Sequence, residues 1–205
     1  MTKSFKKDIF FENFEAIGKR KYGEQYELHE SEFEILLKLK VYFAKDVESA
    51  KKLGINLKKG IFLNGPVGVG KSSLMWLFRE VLLPDYKFLI KPCAEISLDF
   101  SQDGAKTIFQ YSRNSFNRNY IPRIICFDDF GLEPQTNFFS NKVNVMREII
   151  LARYYYFLSH QMITHFTSNL DADAIESIYG KEVRSRLREM CNLISFSEIH
   201  LDKRA

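Results

Sequence analysis

The stretch Gly65-Pro66-Val67-Gly68-Val69-Gly70-Lys71-Ser72 decides how this 205-residue chain is read. It has the form G-x-x-x-x-G-K-[ST], which carries meaning only between a strand and a helix. Both neighbours are present. Ile61-Phe62-Leu63 is a short apolar run, which predicts a strand over 60–64. Ser73-Leu74-Met75-Trp76-Leu77-Phe78-Arg79-Glu80-Val81 predicts a helix over 72–83, stopped by Pro84. The glycines let successive backbone N–H groups turn inward, and the helix N-terminus adds partial positive charge, so the loop is a phosphate cradle. In such a cradle Lys71 reaches the β- and γ-phosphates of ATP and the Ser72 hydroxyl ligates Mg²⁺. The nucleotide-binding run is therefore Gly65 through Ser73.

A second signal lies downstream. Arg123-Ile124-Ile125-Cys126-Phe127-Asp128-Asp129 is an apolar strand ending in two carboxylates. Its apolar run does not alternate, as expected of a strand buried on both faces. Asp128 fits a Walker B acid that holds Mg²⁺ through water. Asp129, next to it, is the candidate for orienting the attacking water. Asn169 follows a strand predicted over Met162–Thr167, where its amide can hydrogen-bond the water or the γ-phosphate. Strands alternating with helices predict a parallel sheet covered on both faces, with its ligand at the C-terminal strand ends. The P-loop, Asp128/Asp129 and Asn169 all fall at such ends.

The remaining elements are coarser. Ser31 and Glu34 read as a capping box, followed by one helix through Leu36, Leu39, Phe43, Val47 and Ala50 to Gly54. Tyr86–Ile90 reads as a strand, 103–118 as helical, Val143–Phe157 as a long helix, 171–178 and 181–190 as short helices, and Leu193–Phe196 as the last strand. On the last helix Arg184 and Arg188 share a face, and Arg186 diverges from them. The fold expected is an α/β P-loop fold with residues 1–55 as a lead-in and helix packed on a core over 56–205.

Composition excludes several classes. No apolar run approaches the ~18 residues that span a bilayer, and the N-terminus Met1–Asp8 lacks an apolar signal region. The three cysteines are widely spaced and fit neither a disulfide framework nor a metal knuckle. Together these predict a cytoplasmic protein without a membrane partner. A net charge of +4 is too mild to imply nucleic-acid binding by itself.

Taken together, Gly65–Ser72, Phe127-Asp128-Asp129-Phe130-Gly131, Ala152-Arg153-Tyr154, Thr167-Ser168-Asn169-Leu170 and Tyr179-Gly180…Ser185-Arg186-Leu187 resemble the AAA+ ATPases of the DnaC/DnaI helicase-loader group and the related IstB transposition helpers. Phe10-Phe11-Glu12-Asn13-Phe14 is similar to the lead-in of those domains. The resemblance implies an AAA+ core with a five-stranded parallel sheet between helices and no substantial C-terminal lid. It also implies ATP hydrolysis with Mg²⁺, and a nucleotide-dependent homo-oligomer that grips single-stranded DNA beside a helicase or transposase client. By the same resemblance Asn169 is sensor 1, Arg186 is the arginine finger of a neighbouring site, and Arg204 takes the sensor 2 position.

Residues 106–123 interleave Arg113, Arg118 and Arg123 with Phe109, Tyr111, Phe116 and Tyr120, with no acid between them. Positive charge with aromatic faces is what sequence-tolerant single-strand binding requires, and a helix with a buried aromatic stripe and a solvated basic face gives the same pattern. Two further function classes stand beside the AAA+ reading. A P-loop kinase needs an arginine-bearing lid, which is not visible after the Asp-Asp pair. A nucleotide-switched module without hydrolysis does not need the intact Lys71, Ser72, Asp128 and Asp129.

Overall fold

The computed structural model describes residues 8–134, 136–138 and 141–196. Three helices precede the P-loop: α1 (Ile9–Tyr22), α2 (Phe33–Phe43) and α3 (Val47–Lys52). Then follow β1 (Gly60–Asn64), α4 (Lys71–Val81), β2 (Leu89–Pro92), α5 (Cys93–Asp103), α6 (Ala105–Tyr111) and β3 (Ile125–Phe130). A short hairpin of β4 (Thr136–Phe138) and β5 (Asn141–Val143) leads to α7 (Val145–His160), β6 (Thr164–Ser168), α8 (Ala172–Met190) and β7 (Cys191–Ser195). β1, β2, β3, β6 and β7 form one five-stranded sheet in the order β2-β3-β6-β1-β7, with every neighbouring pair parallel.

The alternation of side chains along each strand builds two cores. Ile61, Leu63, Cys126 and Ile194 point into one, with Phe11 and Phe14 of α1, Leu36 and Leu39 of α2, and Leu74 and Phe78 of α4. Phe62, Ile125, Phe127 and Phe166 point into the other, with Ile96 of α5, Ile149 and Ile150 of α7, and Val183 and Leu187 of α8. The doubly buried strands predicted from unbroken apolar runs are thus present. All three cysteines are free and buried, and among the described residues no helix is long and apolar enough to cross a membrane.

Several boundaries differ from the sequence reading. The helix predicted to run from Ser31 to Gly54 is two helices, because Asp46 accepts the Ser49 N–H (3.0 Å) and starts α3 afresh. The cap ahead of α2 is Glu32 accepting from the His29 N–H (3.0 Å), not a Ser31–Glu34 box. The strand predicted at Tyr86–Ile90 begins at Leu89, after a 3₁₀ turn at Pro84–Tyr86. The helix predicted over 103–118 ends at Tyr111. Beyond it the Asn117 side chain accepts N–H groups of Asn119 (2.9 Å) and Ile121 (3.0 Å), a local alternative to the helical ladder. Gly180 (φ 89, ψ 161) breaks α8 into the two segments expected.

Candidate functional site

The C-terminal ends of β1, β3 and β6 meet in one hydrogen-bonded row. The Gly65 N–H donates to the Ser168 carbonyl (3.2 Å) and to Asn64 Oδ1 (2.8 Å). The Ser168 hydroxyl donates to the Phe130 carbonyl (2.7 Å). The predicted P-loop, acid pair and sensor segment are therefore brought together, as the parallel-sheet argument required.

Gly70 stands in the left-handed region (φ 87, ψ 20) as the residue before α4, a turn that an L side chain resists. Lys71, Ser72 and Ser73 follow as the first turn of the helix, with their N–H groups at its positive end. Lys71 is buried, and its Nζ donates to the carbonyls of Gly65 (2.8 Å) and Pro66 (2.7 Å), so the ammonium is folded across the mouth of the loop.

The acid pair sits on a β-bulge. Phe127 pairs with Phe166 and Phe130 with Ser168, so Asp128 and Asp129 together face the single residue Thr167. The Thr167 hydroxyl donates to Asp128 Oδ1 (2.6 Å) and accepts the Asp129 N–H (2.9 Å). One buried threonine thereby fixes the Asp128 carboxylate and holds Asp129 at φ 54, a conformation uncommon for a residue with a Cβ. Bulges of this kind re-aim side chains beside active sites. Asp128 is half-buried; Asp129 and Asn169 are exposed at the strand ends. Hydroxyl and carboxylate oxygens from Ser72 and Asp128 are hard donors suited to Mg²⁺, and the inward-turned loop suits a polyphosphate.

Arg184 and Arg186 diverge as predicted. Arg184 pairs with Glu176 (2.6 Å) and Asp173 (3.3 Å) across the Gly180 break in α8. Arg186 lies over the Tyr154 ring of α7 (4.3 Å to the centroid), with its Nη1 3.3 Å from the Tyr154 hydroxyl and 3.5 Å from Glu189. Its contacts are thus with α7 and α8. Arg188 is exposed. Arg204 lies outside the described residues.

Three contributors carried no role in the sequence reading. Thr167 stood in a quoted motif, and only the bulge shows what its hydroxyl does. Tyr179, also in a quoted motif, bonds to Glu133 behind the acid pair. Tyr22, the last residue of α1, lies beside Ser73 of the loop's helix; burial raises its phenol above the ordinary range. No sequence signal marks Tyr22, since only the docking of α1 on α4 brings it there.

The basic–aromatic segment is placed at the other end of the sheet. Residues 112–124 precede β3 and so lie at the strand N-termini, beside the C-terminal end of α7. Arg113, Phe116, Asn117, Arg118, Tyr120 and His160 are among the residues lining an open depression of about 510 Å³. Arg113 stacks on Phe109 (3.4 Å), and Tyr120 is 86% exposed at the loop tip.

No protein-family profile and no curated protein matches the sequence. Solved structures do. A crystal structure of the DnaC helicase loader superposes with a TM-score of 0.58 at 19% identity, over 87% of this chain and 99% of that one. The chain shares the α/β fold of that helicase-loader structure. A crystal structure of DnaI gives a TM-score of 0.52 at 18% identity, over 78% of this chain and 85% of that one. A primosome component from Streptococcus pyogenes serotype M3 gives 0.50 at 18% identity, over 76% and 77%.

Proposed function

We propose that this chain is a Mg²⁺-dependent AAA+ ATPase that acts on DNA–protein assemblies, as a DnaC-like loader of a replicative helicase. The observation that carries this reading is the bulge at which Thr167 presents Asp128 and Asp129 beside a complete P-loop. The helicase-loader fold, and Arg186 diverging from Arg184 to contact α7 and α8, support the oligomeric ATPase over a small-acceptor kinase.

In this reading the N–H groups of the loop and Lys71 bind the phosphates, and Ser72 and Asp128 hold Mg²⁺. Bound there, the ion would supply charge neutralisation to the phosphates. Asp129 and Asn169 orient the water for attack at the γ-phosphorus. Arg186, leaving its place over Tyr154, reaches the γ-phosphate of a neighbouring subunit. A guanidinium supplied in trans is worth about 10³–10⁵ in rate in well-studied NTPases.

The test is ATP turnover across a protein-concentration series, with and without single-stranded DNA. Turnover should rise more steeply than protein concentration and increase with DNA. Lys71→Ala should lose hydrolysis and weaken nucleotide binding, while Arg186→Ala should keep binding and lose hydrolysis. Mixing the two should restore activity, because an intact cradle then meets an intact finger. Wild-type turnover by Lys71→Ala sinks the ATPase reading, and a phosphoryl transfer seen only with a small acceptor replaces it with the kinase.

A further inference from the structure

The segment just past the acid pair is tied to the break in α8. The Phe130 and Tyr179 rings stack at 4.4 Å with an interplanar angle of 20°. The Tyr179 hydroxyl donates to Glu133 Oε1, and the Gly131 N–H donates to Glu133 Oε2 (2.9 Å). One carboxylate thus joins the backbone just past the acid pair, at Gly131, to the last residue before the break. Tyr179 is 2% exposed, and burial together with the Glu133 charge raises its phenol far above the ordinary range, so it stays a donor at neutral pH. The loop is also packed from the sensor side, since a Cβ on Gly131 would meet Leu170 Cδ1 at 2.2 Å.

Gly180 follows directly. A Cβ built there meets nothing within 4 Å, so the position is set by its backbone conformation (φ 89) rather than by packing. The segment after it is continuous helix through Met190 and carries Arg186. Six residues of helix put Arg186 about 9 Å along the axis from the break. A small rotation at Gly180 therefore moves the guanidinium by a comparable fraction of that lever. Arg186 is held in place only by half-exposed partners, Tyr154, Glu182 and Glu189, and exposed pairs of this kind are weak.

We propose that Glu133 and Tyr179 are positioning residues that couple a subunit's own nucleotide site to the angle at which its Arg186 is offered to the neighbour. Movement of the Asp128–Asp129 loop is passed through Glu133 to Tyr179 and turns the 181–190 segment about Gly180. This rests on the reading of Arg186 as a finger acting in trans.

The experiment uses Tyr179→Phe, which keeps the stacked ring and removes only the hydroxyl. Alone it should bind ATP as the wild type does and hydrolyse it about ten- to a hundredfold more slowly, the scale of a misplaced catalytic group. Mixed with excess Lys71→Ala, whose finger and coupling residues are intact, at an ATP concentration that saturates its weakened cradle, its turnover per active cradle should return towards the wild-type value. Mixed with Arg186→Ala, which must borrow a finger from it, turnover should stay low. Glu133→Gln, which sets an amide NH₂ against one of the two donors, should fall between Tyr179→Phe and wild type and serves if Tyr179→Phe loses its fold. Wild-type turnover of both variants overturns the coupling, and so does a Tyr179→Phe rate that Lys71→Ala fails to restore, because the tyrosine then acts on its own site. Absence of recovery in the Arg186→Ala and Lys71→Ala pair removes the trans arrangement itself and the proposal with it. Recovery in that pair beside a fast Tyr179→Phe overturns the coupling alone.

Discussion

Thr167 and His165 lie two residues apart on the same face of β6, and each does with one side chain what the backbone ladder does elsewhere. Thr167 replaces a regular pairing at the bulge by bonding both the Asp128 carboxylate and the Asp129 N–H. His165 Nδ1 accepts the Ile61 N–H (3.0 Å) from β1, and its ring sits edge-on to Phe88 at 5.0 Å. Burial, with smaller contributions from the Lys45 and Arg153 charges, depresses the imidazole from 6.5 to about 3. It is neutral in the folded state and must keep its acceptor lone pair. A depressed folded pKa means that the unfolded chain takes up the proton first on acidification. The stability this residue gives is therefore present above pH 6.5 and is lost as pH falls from there towards 3. Between pH 7 and pH 5 the loss should be about 2 kcal/mol. Urea denaturation at the two pH values should show it in the wild type. His165→Gln, whose amide oxygen can accept the same N–H, should lack that part of the loss. An equal loss in both proteins would mean that His165 does not carry it. Neither residue's task was legible in the sequence. Asp128, Asp129 and Lys71 announce themselves by motif, but a threonine or a histidine inside an apolar strand looks like any other strand residue until the register is known.

At the scale of elements, the strand–loop–helix around the P-loop was readable because its apolar run, glycines and Pro84 all mark boundaries locally. Helix α1 was passed over as a lead-in, although Asp8 caps it through the Phe10 N–H (2.9 Å) and Phe11, Phe14 and Gly18 bury one stripe. Its charged residues mask that stripe in the composition. The segment 112–118 was misread for the opposite reason, since local periodicity continued where a tertiary contact decides. That contact is Arg153. Its guanidinium is fully buried and, among the described residues, has no carboxylate partner. Nε donates to Thr164 Oγ1 (2.7 Å), Nη1 to the Tyr111 carbonyl (2.9 Å) and Ser115 Oγ (3.4 Å), and Nη2 to the carbonyls of Arg123 (3.1 Å) and Ile163 (2.9 Å). These bonds join the end of α6, both ends of the loop, α7 and the start of β6. Burial lowers the pKa to about 9, so the group remains charged at neutral pH. Arg153→Met should leave several buried acceptors unmatched and cost about 3 kcal/mol or more. The loss should also be local. Hydrogen exchange at the Asn117, Ile121 and Arg123 amides should quicken well beyond the change in global stability, while Phe127 follows the global value. Uniform acceleration across the sheet would show that Arg153 supports the core and not the loop.

Across the whole molecule, the two surfaces of interest are separated by the sheet itself. The proposed nucleotide site lies at the C-terminal ends of the strands, and the loop of residues 112–124 lies before β3, at the N-terminal ends. The six residues of β3 span about 20 Å between them. The loop carries three arginines, Tyr120 at its tip and no acid, and Arg153 holds it rigid without taking up the exposed side chains. Exposed rings beside fixed positive charge favour stacked bases and a threaded phosphate backbone. If single-stranded DNA binds here, Arg113→Ala together with Arg118→Ala should remove about two phosphate contacts. The dependence of log affinity on log salt should then flatten by about 1.4 for a single strand. Tyr120→Ala should weaken binding by about 1–3 kcal/mol without changing that slope, because a stacked base contributes no counterion. At 20 Å neither change touches the cradle, so ATP affinity measured by titration in the absence of DNA should stay at the wild-type value in both variants. The combination of outcomes is what discriminates. A flattened slope with unchanged ATP affinity places the DNA on this end of the sheet, opposite the nucleotide. An unchanged slope moves the DNA to another face, and a fall in ATP affinity would show that the two ends are not independent.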